Sequence, residues 1–183
     1  AELKPDAPAV SCGDVTLTYE QFHRLSNRVA RGLAAKGVKF GDLVTLGLPN
    51  STDFAVACWG IWKLGATPQP VSFRLPKGEL EAIMDLAKTP VVIAEFDHQI
   101  DRPLLSIPDL LALSDDDSDL PDVTAPVSKA PTSGGSTGRP KLILSGQKGE
   151  TARDTPEVGG WRLKPSSVAL LPAPLYHNAG FGM

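Results

Sequence analysis

Ten consecutive residues, Thr132-Ser133-Gly134-Gly135-Ser136-Thr137-Gly138-Arg139-Pro140-Lys141, hold three glycines, four hydroxyls and two cations. Glycine lets a backbone approach a ligand closely and turn its N–H groups inward. Hydroxyls rotate to suit the oxygens they meet. A lysine ammonium is a point charge suited to outer phosphates. These are the physical requirements of a phosphate cradle.

The spacing is not that of a Walker A loop. Arg139-Pro140 separates Gly138 from the lysine, and Leu142 stands where a magnesium-binding Ser or Thr is needed. The run Leu142-Ile143-Leu144 reads as a strand, so the loop does not open a helix. Nor is it the G-x-G-x-x-G of a dinucleotide fold. A flexible Gly/Ser linker shares the composition, but such linkers rarely finish in an apolar strand.

The elements that must carry this loop belong to a globular, loop-rich chain. Its 183 residues are 42% hydrophobic and 21% charged, with 17 glycines and 17 prolines. That Gly and Pro share exceeds the ordinary ~12% and stays below the ~25–30% of low-complexity chains. The net charge of -3 provides no basic excess for nucleic acid or an anionic membrane surface. Cys12 and Cys58 lie far apart without C-x-x-C spacing, which argues against a disulfide framework or a zinc site. The longest uncharged apolar stretch, 54–62, is far short of the ~20 residues of a membrane span. No signal-peptide core opens the chain, and a cytoplasmic location is expected. The first residue is Ala1 rather than Met, so the chain is expected to begin inside a longer reading frame.

Thr18 and Gln21 form a capping-box pattern before Phe22, Leu25, Val29 and Leu33, which line one helix face ending at Gly37. The run 43–48 predicts a buried strand. Asn50 or Ser51 then caps a helix from about 53 to 64 that is apolar almost all round and needs packing on several sides. A strand near 67–71, a helix over 77–88 with Leu80, Ile83, Met84 and Ala87 inward, and a strand over 91–94 follow. Alternation of strand and helix with short links predicts an α/β fold with a mainly parallel sheet flanked by helices. Residues 108–113 predict a short helix, 114–119 a solvated acidic loop, 121–131 an extended connector and 146–160 a mobile excursion. Residues 168–171 are one more strand candidate.

The loop from Ser133 to Lys141 resembles the signature of the adenylate-forming superfamily of acyl-CoA synthetases, peptide-synthetase adenylation domains and luciferases. Four further stretches resemble that family in the same order: Leu17-Thr18-Tyr19-Glu20 with the helix to Gly37, Gly41-Asp42-Leu43-Val44 followed by Pro49-Asn50-Ser51 as its first strand and turn, the stretch 57–70, and Leu171-Pro172-Ala173-Pro174-Leu175-Tyr176-His177-Asn178-Ala179-Gly180. The last is most similar to ligases of bile, steroid or fatty acids. The resemblance implies that residues 1–183 are a partial N-terminal domain of an acyl-CoA ligase, with a phosphate-binding loop at 132–141 and the C-terminal portion absent. It implies ATP, Mg2+ and CoA as co-substrates, and a small-molecule carboxylate activated as its acyl-adenylate.

By the same resemblance, Thr132, Ser133, Gly134, Gly135, Ser136, Thr137, Gly138 and Lys141 would hold the β- and γ-phosphates. His177 would stand between nucleotide and acyl pocket, and Lys141 and His177 are the catalytic candidates. An interior histidine with satisfied hydrogen bonds would also explain His177. His23 and His98 read as structural or solvated. No protein metal ligands are expected. The family's ribose site and distal lysine lie past residue 183, so this piece alone is expected to be inactive and to pack against the remainder of its own chain. A homodimer stays open. A peptide-synthetase-type adenylation domain and a non-catalytic nucleotide-binding scaffold are the alternatives.

Overall fold

The computed structural model describes residues 4–96, 99–133, 140–149 and 167–181. The chain opens with an antiparallel hairpin, β1 (Pro8–Cys12) and β2 (Val15–Thr18), whose closing pair is Cys12↔Val15. The sequence reading omitted it. Its signal is Gly13-Asp14: Gly13 has φ +58, which a two-residue turn with glycine first requires. Helix α1 (Tyr19–Ala35) follows at once, and Thr18 and Gln21 make the expected capping box. Val29 and Leu33 are fully buried, while Phe22 and Leu25 are partly covered.

Strands β3 (Leu43–Gly47), β4 (Thr67–Pro70), β5 (Val92–Ala94) and β6 (Leu104–Leu105) form one parallel sheet in the order β4-β3-β5-β6. Helix α2 (Thr52–Lys63) links β3 to β4, and α3 (Lys77–Ala87) links β4 to β5. Side chains alternate across a strand, so Ile93 joins Val44, Leu46, α1 and α2 in one core, while Val92 and Ala94 join α3 in a second. Leu80, Ile83, Met84 and Ala87 are the buried face of α3, as their spacing predicts. Helix α4 (Ile107–Leu111) has Ser106 and Asp109 as a capping box and packs on α1 where Gly32 leaves room for the Leu110 backbone. The expected α/β class is therefore observed. Among the described residues no helix is long and apolar enough to cross a membrane.

The all-apolar α2 finds its several partners. Gly60 admits Val29 of α1, Phe54 and Ile61 face the core, and Trp59 stacks edge-on with Phe22 and Trp62. Its one cation near the C-terminus, Lys63, turns into the α1 contact. The Nζ donates to Ser26 Oγ (2.7 Å), Asn27 Oδ1 (2.5 Å) and the His23 carbonyl (3.0 Å), a full set of acceptors for an ammonium. His23 Nδ1 is 3.3 Å from the same nitrogen, and His23 Nε2 is 2.6 Å from Asp119.

One local expectation is extended and one is corrected. The acidic run 114–119 is solvated, as expected, and is also tied as a strap along α1. Arg24 pairs with Asp117, Arg28 with Asp115 and Arg31 with Asp116, at 2.9–3.1 Å. Such exposed pairs contribute only ~0.2–1 kcal/mol each. The strap is held more firmly by Asn27 and Arg28, which donate to the carbonyls of Asp117, Ser114 and Leu111. Residues 168–171 form no strand: Val168 is 96% and Leu170 85% exposed. An apolar run becomes a strand only beside a partner ladder, and no strand among the described residues pairs with it.

Burial pulls the Lys63 pKa down to about 8; Asp119 opposes the fall and Arg31 adds to it. Unfolding restores the ordinary ~10.4. The native state therefore binds fewer protons between these values, and stability rises with pH there. The cost of the buried charge is present in full below about pH 8 and fades toward the unfolded value. Urea midpoints should show the wild type gaining on Lys63→Met as pH is raised from about 8 toward about 10. A difference that stays flat across that window would contradict this account.

Candidate functional site

The loop is carried by a hairpin. Strand β7 (Thr132–Ser133) pairs antiparallel with β8 (Lys141–Leu142), in the register Thr132↔Leu142 and Ser133↔Lys141. The ladder continues beyond these short strands in the same register. Ile143 N–H donates to Pro131 C=O (2.9 Å), Ser145 N–H to Lys129 C=O (3.0 Å) and Gly149 N–H to Ala125 C=O (2.9 Å). The expected strand over 142–144 is thus one side of a ribbon reaching back to Ala125, and part of the expected connector is its other side.

The ribbon is fastened to the outer edge of β4 in an unusual way. Thr67 and Val71 turn their N–H groups to β3, donating to Asp42 and Leu46. The alternate residues, Pro68 and Pro70, face outward and have no N–H to give. Ala130 N–H donates to Pro68 C=O (3.0 Å). The ribbon's own carbonyls must find donors elsewhere. Thr67 Oγ1 donates to Val127 C=O (2.8 Å), and Trp62 Nε1 donates to Ser128 C=O (2.7 Å).

Thr132 and Ser133 are half-buried, and Lys141 is exposed. Among the described residues no carboxylate lies in ion-pair range of the Lys141 ammonium. Ser133 and Lys141 are opposite one another on the last rung before the connection. Gly134, Gly135, Ser136, Thr137 and Gly138 lie outside the described residues, as do His98 and residues 150–166 of the expected excursion.

The second predicted stretch forms a turn at 174–181. His177 N–H donates to Pro174 C=O (3.1 Å), and Phe181 N–H donates to His177 C=O (3.0 Å). The His177 ring is exposed and lies 4.6 Å from that of Tyr176, so it is not an interior histidine. Gly180 is packed so closely on the Pro174 carbonyl that a Cβ would collide with it. The turn is anchored by residues the sequence reading did not assign to the site. Phe181 packs between Phe54 (5.8 Å) and Trp62 (6.0 Å, interplanar 20°), with Lys129 Nζ 5.9 Å from its ring centre. Burial lowers the Lys129 pKa.

Ribbon and turn share a groove of about 310 Å³ lined by Lys129, Pro131, Ile143, Leu144, Ser145, Gly146 and Asn178. Its lining combines one cation, an exposed apolar pair and a side-chain amide. A slightly larger depression of about 370 Å³, beside Lys36, Leu104 and Asp109, holds none of the predicted residues. The groove is therefore where the two candidate segments meet. His23, bonded to Asp119, serves the strap instead. Among the described residues no cluster of His, Cys, Asp or Glu could hold a metal.

A family model described as "AMP-binding enzyme" matches residues 1–183. Feruloyl-CoA synthase of Amycolatopsis sp is 32% identical over 191 residues, spanning 100% of this chain and 39% of that protein. A fatty acid–[acyl-carrier-protein] ligase of Streptomyces coeruleorubidus is 32% identical over 202 residues, spanning 98% of this chain and 38% of that one. The chain thus spans well under half the length of these curated relatives. O-succinylbenzoate coenzyme A synthetase of Bacillus subtilis, solved with AMP, aligns over 78% of this chain and 39% of its own, with TM-score 0.66 and 20% identity.

The attachment of the ribbon can be tested at its indole. Trp62→Phe keeps a ring beside Phe181 and removes the indole donor to the half-buried Ser128 carbonyl. It should cost about 0.5–1.5 kcal/mol in urea unfolding, the net range for one hydrogen bond. Hydrogen exchange at Ala130 should accelerate with it. Unchanged exchange at that amide would show that the indole does not hold the ribbon.

Proposed function

The chain belongs to the AMP-binding enzyme family, and we propose that it forms the N-terminal part of an adenylate-forming ligase whose residues 132–141 receive the triphosphate tail of ATP. The observation that carries this reading is the last rung of the ribbon. Ser133 and an exposed Lys141, with no carboxylate among the described residues in ion-pair range, face each other at the start of a connection whose sequence contains three glycines and two further hydroxyls. An anion arriving beside that rung would meet the Lys141 ammonium. Magnesium bound with the nucleotide would lower the charge of the leaving group.

In the first half-reaction a carboxylate oxygen of the substrate attacks the α-phosphorus of ATP. The bond from that phosphorus to the bridging oxygen breaks, and pyrophosphate leaves with the electron pair. Lys141 and the loop stabilise charge that develops on the departing phosphates. In the second half-reaction a thiolate attacks the acyl carbon, and AMP departs with the electrons of the carbon–oxygen bond. The substrate proposed is a carboxylic acid with an apolar body, the class that includes fatty, bile and steroid acids. The mixed character of the groove beside Asn178 supports it. Coenzyme A is the proposed thiol. A carrier-protein thiol is the second reading, favoured by the likeness to a ligase named for an acyl carrier protein.

In the full-length enzyme, Lys141→Ala should slow ATP–pyrophosphate exchange by about 10²-fold, the loss expected for one charge-stabilising group. Thioester formation from supplied acyl-adenylate should stay close to wild type. Equal losses in both half-reactions would remove Lys141 from the phosphate site. The 183-residue chain alone should form no acyl-CoA, and its detection at a rate comparable to that of the full-length enzyme would overturn the proposal that the missing portion completes the site.

A further inference from the structure

Parallel α/β sheets bind ligands outside the carboxyl ends of their strands, at the point where the strand order reverses. Here the chain leaves β3 for β4 on one side, then returns past β3 to β5 on the other. Helix α2 covers one face of the sheet and α3 the opposite face. The order reverses at β3, so the crevice opens beyond the carboxyl ends of β3 and β5, with the end of β4 beside it. Asn50 stands three positions past β3, and Phe73 three positions past β4.

Both reach the same segment. Asn50 Nδ2 donates to the Ala173 carbonyl (3.0 Å), and Leu175 N–H donates to Asn50 Oδ1 (2.8 Å). The Phe73 ring meets that of Tyr176 edge-on at 6.0 Å. The Asn50 amide thus grips the backbone on either side of Pro174, as a neighbouring strand would. Ser51 caps α2 by accepting from Phe54 N–H, which leaves Asn50 free for this work.

We propose that Asn50 is a positioning residue: its amide fixes the 173–178 backbone in the crevice so that His177 is presented to the reacting groups. It touches no reactant itself. The functional half of this statement rests on the adenylating reading of the site; the geometric half does not. A carboxamide is the required group. Asn50→Asp keeps the acceptor for Leu175 N–H but faces the Ala173 carbonyl with an oxygen, and Asn50→Ala loses both bonds.

The test combines hydrogen exchange with a mutant cycle in the full-length enzyme. Amides of 173–181 should exchange faster by about tenfold or more in Asn50→Ala, as expected when a local opening becomes easier. ATP–pyrophosphate exchange should fall by about 10- to 100-fold, the scale of an ångström-sized misplacement, with the KM for ATP little changed. The loss in Asn50→Ala/His177→Ala should be no larger than in His177→Ala alone, because the two residues act in series. Asn50→Asp should fall between, and it replaces the alanine variant if that protein fails to fold. Unaltered exchange in 173–181 would overturn the proposal whatever the activity. Faster exchange with independent, multiplying losses would overturn the link to His177. A wild-type enzyme without AMP-forming activity would overturn the reaction and that link together, while the exchange data would still decide whether Asn50 holds the turn.

Discussion

Strand β4 can offer hydrogen-bond acceptors at its outer edge but no donors from Pro68 or Pro70. A regular fifth strand cannot be added there. The ribbon is attached instead by one backbone bond to Pro68, one hydroxyl and one indole. Those donors come from β4 and α2, elements already fixed by the core, so the loop at 132–141 inherits its position from the best-packed part of the chain.

Trp62 connects the two candidate segments. Its N–H holds the ribbon and its ring stacks on Phe181, the anchor of the turn carrying His177. The next residue, Lys63, turns the other way and binds α1 near the point where the strap ends at Asp119. One turn of α2 thereby coordinates the strap, the ribbon and the turn, although these segments are far apart in sequence. Such long-range convergence on one helix explains why α2 is apolar nearly all round, with Lys63 satisfied by acceptors rather than by water.

Much of this was legible in the residue pattern. The period of α1 and α3, the capping residues Thr18 and Ser51, and the alternation of strand and helix are local signals, and each produced the element expected. The glycine-rich loop stands out in the sequence because its residue types are those phosphate chemistry would demand, while its residues 134–139 lie outside the described ones. Three features were hidden for a common reason: they depend on partners remote in sequence. The acidic strap looks untethered until Arg24, Arg28 and Arg31 are seen on the facing helix. The run 168–171 looks like a strand until its lack of a ladder is seen. Asn50 looks like a turn or cap residue, and nothing local announces its bond to a backbone more than a hundred positions away.

The strap carries a kinetic consequence for biosynthesis. Helix α1 leaves the ribosome before the acidic partners of Arg28 and Arg31 exist, because Asp115 and Asp116 follow 87 and 85 positions later, whereas Arg24 already has Glu20 beside it. Contacts of that separation close late, since the intervening chain must give up its freedom first. The nascent domain therefore passes through a stage with an assembled apolar centre and a bare cationic flank.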